Sequence, residues 1–187
     1  MNDLVIRAQH YALGAHHNQR YGDGPFSRHL QMVHTAVLSA RPDDIELQAA
    51  AWLHDILEDT QVQYKELKDL FGVRVAELVF LVTDGQGRNR KERKLAVFAK
   101  ILDIYSKPPT DDLPQGEDLA RDAIALKLAD RIANISDGLA HNHGRIVSMY
   151  FKEHADLVGH LQVGGHNQDL WDHLDSLVAD GVANGYR

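Results

Sequence analysis

Residues 54–60 read His54-Asp55-Ile56-Leu57-Glu58-Asp59-Thr60, an adjacent histidine and aspartate followed one helical turn later by an acid pair. The residues before it, Ala49-Ala50-Ala51-Trp52-Leu53, are apolar and favour helix. On a continuous helix His54 lies beside Glu58 and Asp55 beside Asp59, because positions i and i+4 share a face. Four ionisable groups therefore crowd the end of a segment whose composition asks for burial. Burying charge is costly unless something compensates it, and a divalent cation is the simplest compensation. Taken alone, the stretch also has a plainer reading as an exposed acidic helix end.

Outward from this run, apolar residues recur at helical spacing along nearly the whole chain. The pattern predicts helices over 4–17, 28–40, 44–57, 62–70, 73–82, 90–105, 119–135, 145–162 and 168–182. Pro42 followed by Asp43 and Asp44 offers a start and a cap for the third of these. No segment alternates as a half-buried strand would. The expectation is an all-α helical bundle of about eight to ten helices, forming a single domain over 1–187. Residues 19–27, with Gly22, Gly24 and Pro25, read as an ordered non-helical connection. Residues 106–116, with Pro108, Pro109, Pro114 and the pair Asp111-Asp112, read as a surface loop.

A chain of 187 residues can bury a substantial core without staples. It has no cysteine, which excludes disulfides and thiolate metal sites. A net charge of -7 gives no support to binding of duplex nucleic acid or an anionic membrane. No stretch approaches the ~20 apolar residues that span a bilayer, and the first residues lack the apolar run of a signal peptide. A soluble, cytoplasmic protein acting on a small molecule is expected.

Two more residues belong with the opening run. His29 falls at the start of the second helix, directly after the glycine-proline connection. Asp130 lies in Leu126-Lys127-Leu128-Ala129-Asp130-Arg131-Ile132-Ala133-Asn134, an acid in an otherwise apolar helix. Arg131 can pair with acids elsewhere, and Asn134 shares the face of Asp130 one turn later. Two histidines and two carboxylates make a mixed nitrogen and oxygen shell suited to Mn²⁺, Fe²⁺ or Zn²⁺.

These residues resemble the H...HD...D pattern of the HD-domain metal-dependent phosphohydrolases. More narrowly, the chain is similar to the hydrolase domain of the RelA/SpoT family and to the stand-alone small alarmone hydrolases. The resemblance is carried by residues 20–29, by HDILEDT, by Phe71-Gly72-Val73 with Leu81-Val82-Thr83-Asp84, and by Lys127-Leu128-Ala129-Asp130-Arg131 with Asn134. It covers about residues 8–138 and fades beyond Asp137, leaving 139–187 as a helical extension, a cap or an oligomer contact. The resemblance implies a guanosine-3′,5′-bis(diphosphate) 3′-pyrophosphohydrolase that removes the 3′-pyrophosphate from (p)ppGpp, usually with Mn²⁺. It implies His29, His54, Asp55 and Asp130 as metal ligands and Glu58 with Asp59 as the catalytic acids that position or activate the attacking water. It also implies substrate contacts at Arg20 and Asn134. Lys127 is carried over with them, although its side chain can equally lie on the helix surface.

The chain departs from the family at two positions. Tyr21 stands where the long Rel proteins commonly have lysine, and Phe26 where the related enzymes commonly have tyrosine. Both departures leave open an HD phosphohydrolase for a different nucleotide, and a nucleotide-binding domain without turnover is the third alternative. Phe26 reads best as packing behind the loop. The remaining histidines, among them His141, His143, His154, His160 and His166, lack accompanying acids in a ligand pattern and read as solvated or satisfied side chains. The basic run Arg88, Arg90, Lys91, Arg93 and Lys94 opens a helix, where cations oppose the macrodipole, so it is expected either to pair with acids or to face phosphate.

Overall fold

The computed structural model describes residues 2–111, 113 and 115–186. Asn2 caps α1 (Asp3–Ala15) by accepting from the amide of Leu4. The connection that follows contains a short antiparallel hairpin, β1 (Arg20–Tyr21) and β2 (Gly24–Pro25), in which Tyr21 pairs with Gly24. Gly22 opens its turn at φ +56°, a conformation that costs glycine little. This hairpin is the one departure from an all-α reading among the described residues. Its strands are too short to show any alternation in sequence.

Next come α2 (Ser27–Ala40), α3 (Ile45–Leu53), α4 (Ile56–Asp59), α5 (Tyr64–Phe71) and α6 (Val73–Val82). The chain continues with α7 (Arg90–Tyr105), α8 (Gly116–Ala140), α9 (Gly144–Leu161) and α10 (Gln168–Ala183). Asp44 caps α3 as expected, accepting from the Leu47 amide. The connection expected over 106–116 is non-helical up to Gln115, and its residues 112 and 114 lie outside the described residues.

Helix α8 is the centre of the bundle, with α2, α6, α7, α9 and α10 packed around it. It is apolar on several sides, as a helix enclosed by others must be. It runs further at both ends than the 119–135 expected from spacing. Apolar periodicity stops at Ile135, but the carboxylate of Asp137 is taken by Arg28 at 2.8 Å. Gly138 lies so close to α9 that an added Cβ would stand 2.7 Å from Val147 Cγ2. The last two helices belong to the same core, through Leu157, Leu161, Leu170, Trp171 and Leu174.

The third predicted helix, 44–57, is broken in two. His54 and Asp55 keep right-handed backbone angles, at φ -57°, ψ -33° and φ -96°, ψ -2°, and both side chains reach His29 Nε2. The chain leaves the helix at these two residues and restarts as α4, with the amide of Asp59 reaching the carbonyl of Asp55 at 2.9 Å. Thr60 and its neighbours then close the short helix, as Thr60 Oγ1 donates to the Ile56 carbonyl at 2.6 Å.

One partly buried ion cluster locks α3 to α6 and α8. Arg74 donates to Asp44 Oδ2 at 2.6 Å, Asp122 Oδ2 at 2.7 Å and Glu46 Oε2 at 3.2 Å. Removing one partner from such a cluster leaves uncompensated buried charge. Arg74→Met is therefore expected to lower stability by about 1–3 kcal/mol in urea denaturation, with Asp122 retaining Arg121 as a partner. Burial raises the pKa of Asp44, but Arg74 and the Leu47 amide outweigh it and the net shift is downward. The stability from this carboxylate is thus held above the ordinary aspartate pKa and lost as pH falls through its lower folded value.

Candidate metal centre and its pocket

Four residues from three parts of the chain converge beside the break between α3 and α4. His29 comes from the first turn of α2, His54 and Asp55 from the break, and Asp130 from the middle of α8. His29 Nε2 and His54 Nε2 face each other at 3.1 Å. Asp55 Oδ2 lies 3.4 Å from His29 Nε2 and 3.1 Å from His54 Nε2. Asp130 Oδ1 approaches the same two nitrogens at 3.4 and 3.9 Å. Around one ion with bonds of ~2.1 Å, donors stand ~3.0 Å apart at right angles and ~3.4 Å apart in a tetrahedron. The spacing therefore fits a shared cation. The donor atoms of His29, His54 and Asp55 all lie within 4.8 Å of one another, the one such group among the described residues, and Asp130 flanks it.

The donor chemistry fits as well. His54 Nδ1 lies 2.9 Å from the Ala51 carbonyl, which holds the proton there and leaves the Nε2 lone pair facing the pocket. Burial lowers the pKa of His29, but hydrogen bonds from Asp130 and Asp55 outweigh it and carry it up to about 9. Without a cation, His29 holds a proton where the ion would sit. For Asp55 and Asp130, burial raises the pKa, while His54 and His29 for the first and Lys127 and both histidines for the second bring the net value below the aspartate range.

Around this centre lies a pocket of about 180 Å³, lined also by Tyr21, Glu58, Asp59, Arg90, Lys94, Lys127, Arg131, Asn134 and Tyr150. Glu58 is held by the backbone amide of Asp84, which donates to its Oε2 at 3.1 Å. The carboxylate of Asp59 has no hydrogen-bond partner among the described residues. Partial burial raises the pKa of both acids, with further upward pressure from Asp84 on Glu58 and from Asp55 on Asp59. Opposite them stands a cationic wall. Glu153 bridges Arg90 at 2.6 Å and Arg131 at 3.1 Å, and both guanidiniums lie over the ring of Tyr150. Lys127 is buried, 3.5 Å from Asp130 Oδ2, and Lys94 pairs with Asp84 at 2.5 Å.

Tyr21, Asn134 and Tyr150 also line a second cavity of about 590 Å³, so the two spaces share a wall at these residues. Arg20 borders this larger cavity, on the hairpin, with its guanidinium donating to the Asp23 carbonyl. It does not line the metal pocket.

Comparison with known proteins gives the relatives of the chain. No family model matches the chain. The guanosine-3′,5′-bis(diphosphate) 3′-pyrophosphohydrolase MESH1 of Danio rerio is 30% identical over 72% of this chain and 68% of its own length. The chain belongs to the SpoT/MESH1-like HD-domain family. The Drosophila melanogaster MESH1 is 31% identical over 68% of this chain. The bifunctional (p)ppGpp synthase/hydrolase SpoT of Escherichia coli is 33% identical over 66% of this chain, a match spanning only 16% of that longer protein. The probable guanosine-3′,5′-bis(diphosphate) 3′-pyrophosphohydrolase of Mycoplasma pneumoniae is likewise matched over 18% of its length. The solved structure of a metazoan ortholog of SpoT superposes with a TM-score of 0.73 over 100% of this chain and 98% of that one, at 25% identity. The last two helices, beyond the reach of the sequence resemblance, are thus part of the fold shared with this family.

Of the residues singled out in sequence, His29, Asp55, Asp130, Glu58, Asp59, Lys127 and Asn134 line one pocket, His54 meets His29 and Asp55 behind it, and Arg20 stands apart. Asn134 makes its hydrogen bonds within the protein, donating to Asp130 Oδ1 at 2.6 Å and accepting from the Tyr21 hydroxyl at 2.9 Å. The basic run resolves into acid pairs, with Arg90 and Lys94, four residues apart, turned to the pocket. Phe26 is buried and stacked on His16 with centroids 4.7 Å apart, and it also lines the metal pocket beside His29. His141, His154, His160 and His166 each contact a carboxylate or a carbonyl in their own surroundings. Tyr150 and Glu153 carried no sequence signal, because they lie in the region where the resemblance has faded. No helix of the described residues is long and apolar enough to cross a membrane.

Proposed function

We propose that this protein is a cytoplasmic metal-dependent hydrolase that removes the 3′-pyrophosphate of (p)ppGpp, giving GDP or GTP and pyrophosphate. One observation carries the reading: a single small pocket is lined by His29, Asp55 and Asp130, backed by His54, together with an acid pair and a wall of four cations. His29, His54, Asp55 and Asp130 would hold the cation, with Mn²⁺ as the proposed ion and other divalent transition metals compatible with the same donors. When bound, it supplies Lewis-acid polarisation of a phosphoryl oxygen and lowers the pKa of nearby water.

The chain's own groups supply the rest. Asp59, its carboxylate unengaged, accepts a proton from the attacking water. Glu58, pinned by the Asp84 amide, orients that water. The water oxygen attacks the phosphorus attached to the ribose 3′ oxygen, the bond between that phosphorus and the 3′ oxygen breaks, and the leaving 3′ oxygen takes up the proton that Asp59 accepted from water. Arg90, Arg131, Lys94 and Lys127 offset the negative charge of the phosphates, the arginines through paired N–H donors. The larger cavity beside Tyr21 and Asn134 is assigned to the nucleoside, with Arg20 at its border.

A second reading, hydrolysis of a different phosphorylated nucleotide, is favoured by Tyr21, which offers no positive charge and spends its hydroxyl on Asn134. Incubation of the purified protein with Mn²⁺ and ppGpp, with products resolved by ion-exchange chromatography, tests the choice. GDP and pyrophosphate are expected. Metal binding without turnover of ppGpp would transfer the reading to other phosphorylated nucleotides.

A further inference from the structure

The residue that departs from the family pattern, Tyr21, touches the metal-ligand set twice. Its hydroxyl donates to Asn134 Oδ1 at 2.9 Å. Asn134 Nδ2 in turn donates to Asp130 Oδ1 at 2.6 Å and to the Asp130 carbonyl at 2.9 Å. With its amide oxygen facing a donor and its amide nitrogen facing two acceptors, Asn134 has one orientation that satisfies all three contacts. The ring of Tyr21 also stacks on the imidazole of His29, with centroids 4.8 Å apart and planes 27° apart. Arg28 lies over the Tyr21 ring at 5.6 Å from its centroid, and is itself held by Asp137 at 2.8 Å. The tyrosine is therefore braced by a partly exposed arginine held on a buried aspartate, while it touches one ligand through its ring and a second through a single intervening amide.

This double contact has a physical reason. His29 Nδ1 is buried with no hydrogen-bond partner among the described residues. The usual means of fixing a ligating imidazole, a hydrogen bond to its distal nitrogen, is therefore missing. A ring stacked on the imidazole is the remaining way to hold its plane. Asp130 has the opposite problem, a carboxylate free to turn about its last bond within reach of Lys127 as well as both histidines. The Asn134 amide holds the oxygen that faces the histidines.

We propose that Tyr21 is a positioning residue for the metal centre, holding the His29 ring by stacking and the Asp130 carboxylate through Asn134. The inference rests on the metal-site reading above and assigns Tyr21 and Asn134 to the architecture of the site instead of to the phosphate.

Mn²⁺ dissociation constants, measured by competition with a chromogenic chelator on variants shown to be folded by circular dichroism, test it. Tyr21→Phe keeps the stack and loses the hydroxyl, and is expected to weaken Mn²⁺ binding about tenfold, the low end of the loss seen when an outer hydrogen-bonding partner is removed. Asn134→Ala is expected to weaken it at least as much. In the Asn134→Ala background the further change Tyr21→Phe is expected to do almost nothing, because the hydroxyl acts through that amide. An unchanged constant in Tyr21→Phe overturns the proposal, and so do losses that multiply in the double variant. A wild-type protein that binds no Mn²⁺ overturns the metal-site reading itself.

Discussion

Asp59→Asn is expected to lower kcat by about 10²–10⁴-fold, the contribution usual for a positioned acid or base, with metal content and folding unchanged. The carboxylate lines the pocket and touches none of the metal donors within bonding distance. Its loss therefore leaves the donor set intact. The amide replacing it keeps the size and cannot accept a proton. Glu58→Gln is expected to cost less, because the oxygen that accepts from the Asp84 amide is retained in glutamine. Chromatographic rates on ppGpp with metal analysis of the same samples check both. Full activity in Asp59→Asn with normal metal content would remove the acid pair from the mechanism.

His54→Ala is expected to abolish turnover by removing the cation. The imidazole supplies a donor from the centre of the set, 3.1 Å from both His29 Nε2 and Asp55 Oδ2. Loss of an outer partner alone weakens a metal site by about 10–100-fold, so loss of a ligand is expected to exceed about a hundredfold. Heat-denaturation midpoints give an independent reading. At a thousand times its dissociation constant, a bound ion stabilises the folded chain by about 4 kcal/mol, and this gain is expected in the wild type and absent in His54→Ala.

The same centre has a pH dependence whose direction follows from His29. Its pKa in the metal-free protein is up at about 9, above the ordinary histidine value, so its charged form is favoured by the fold. The stability it contributes is fully present below the unfolded pKa near 6.5 and is lost as pH rises through about 9. That proton must leave before the nitrogen can ligate. Apparent metal affinity is accordingly expected to rise with pH up to about 9.

Local chemistry determined much of this protein before any tertiary contact was known. The bundle was legible because apolar residues at helical spacing need a partner face, and α6 and α7 begin and end where that spacing does. The ligand set was legible because an aspartate inside the apolar stretch 125–133 and a His-Asp pair closing another have no cheap explanation without a compensating charge. Asn134 on the face of Asp130 followed from the period of the helix alone.

Only the tertiary structure decided how these pieces face one another. The break at His54 and Asp55 is invisible to periodicity, since both residues are compatible with a continuous helix. At the break these two adjacent side chains both meet His29, 25 positions before His54 in the chain. The roles of Tyr150 and Glu153 depend on α9 lying against α7 and α8, a contact no local pattern encodes. Tyr21 is the clearest case. In sequence it is a missing lysine, and in the fold it is a ring against one ligand and a hydroxyl linked to another, 113 residues away at Asn134. A sequence specifies which chemistry each residue can offer. Which of those capacities are spent on substrate, on metal or on each other is set by distances that only packing fixes.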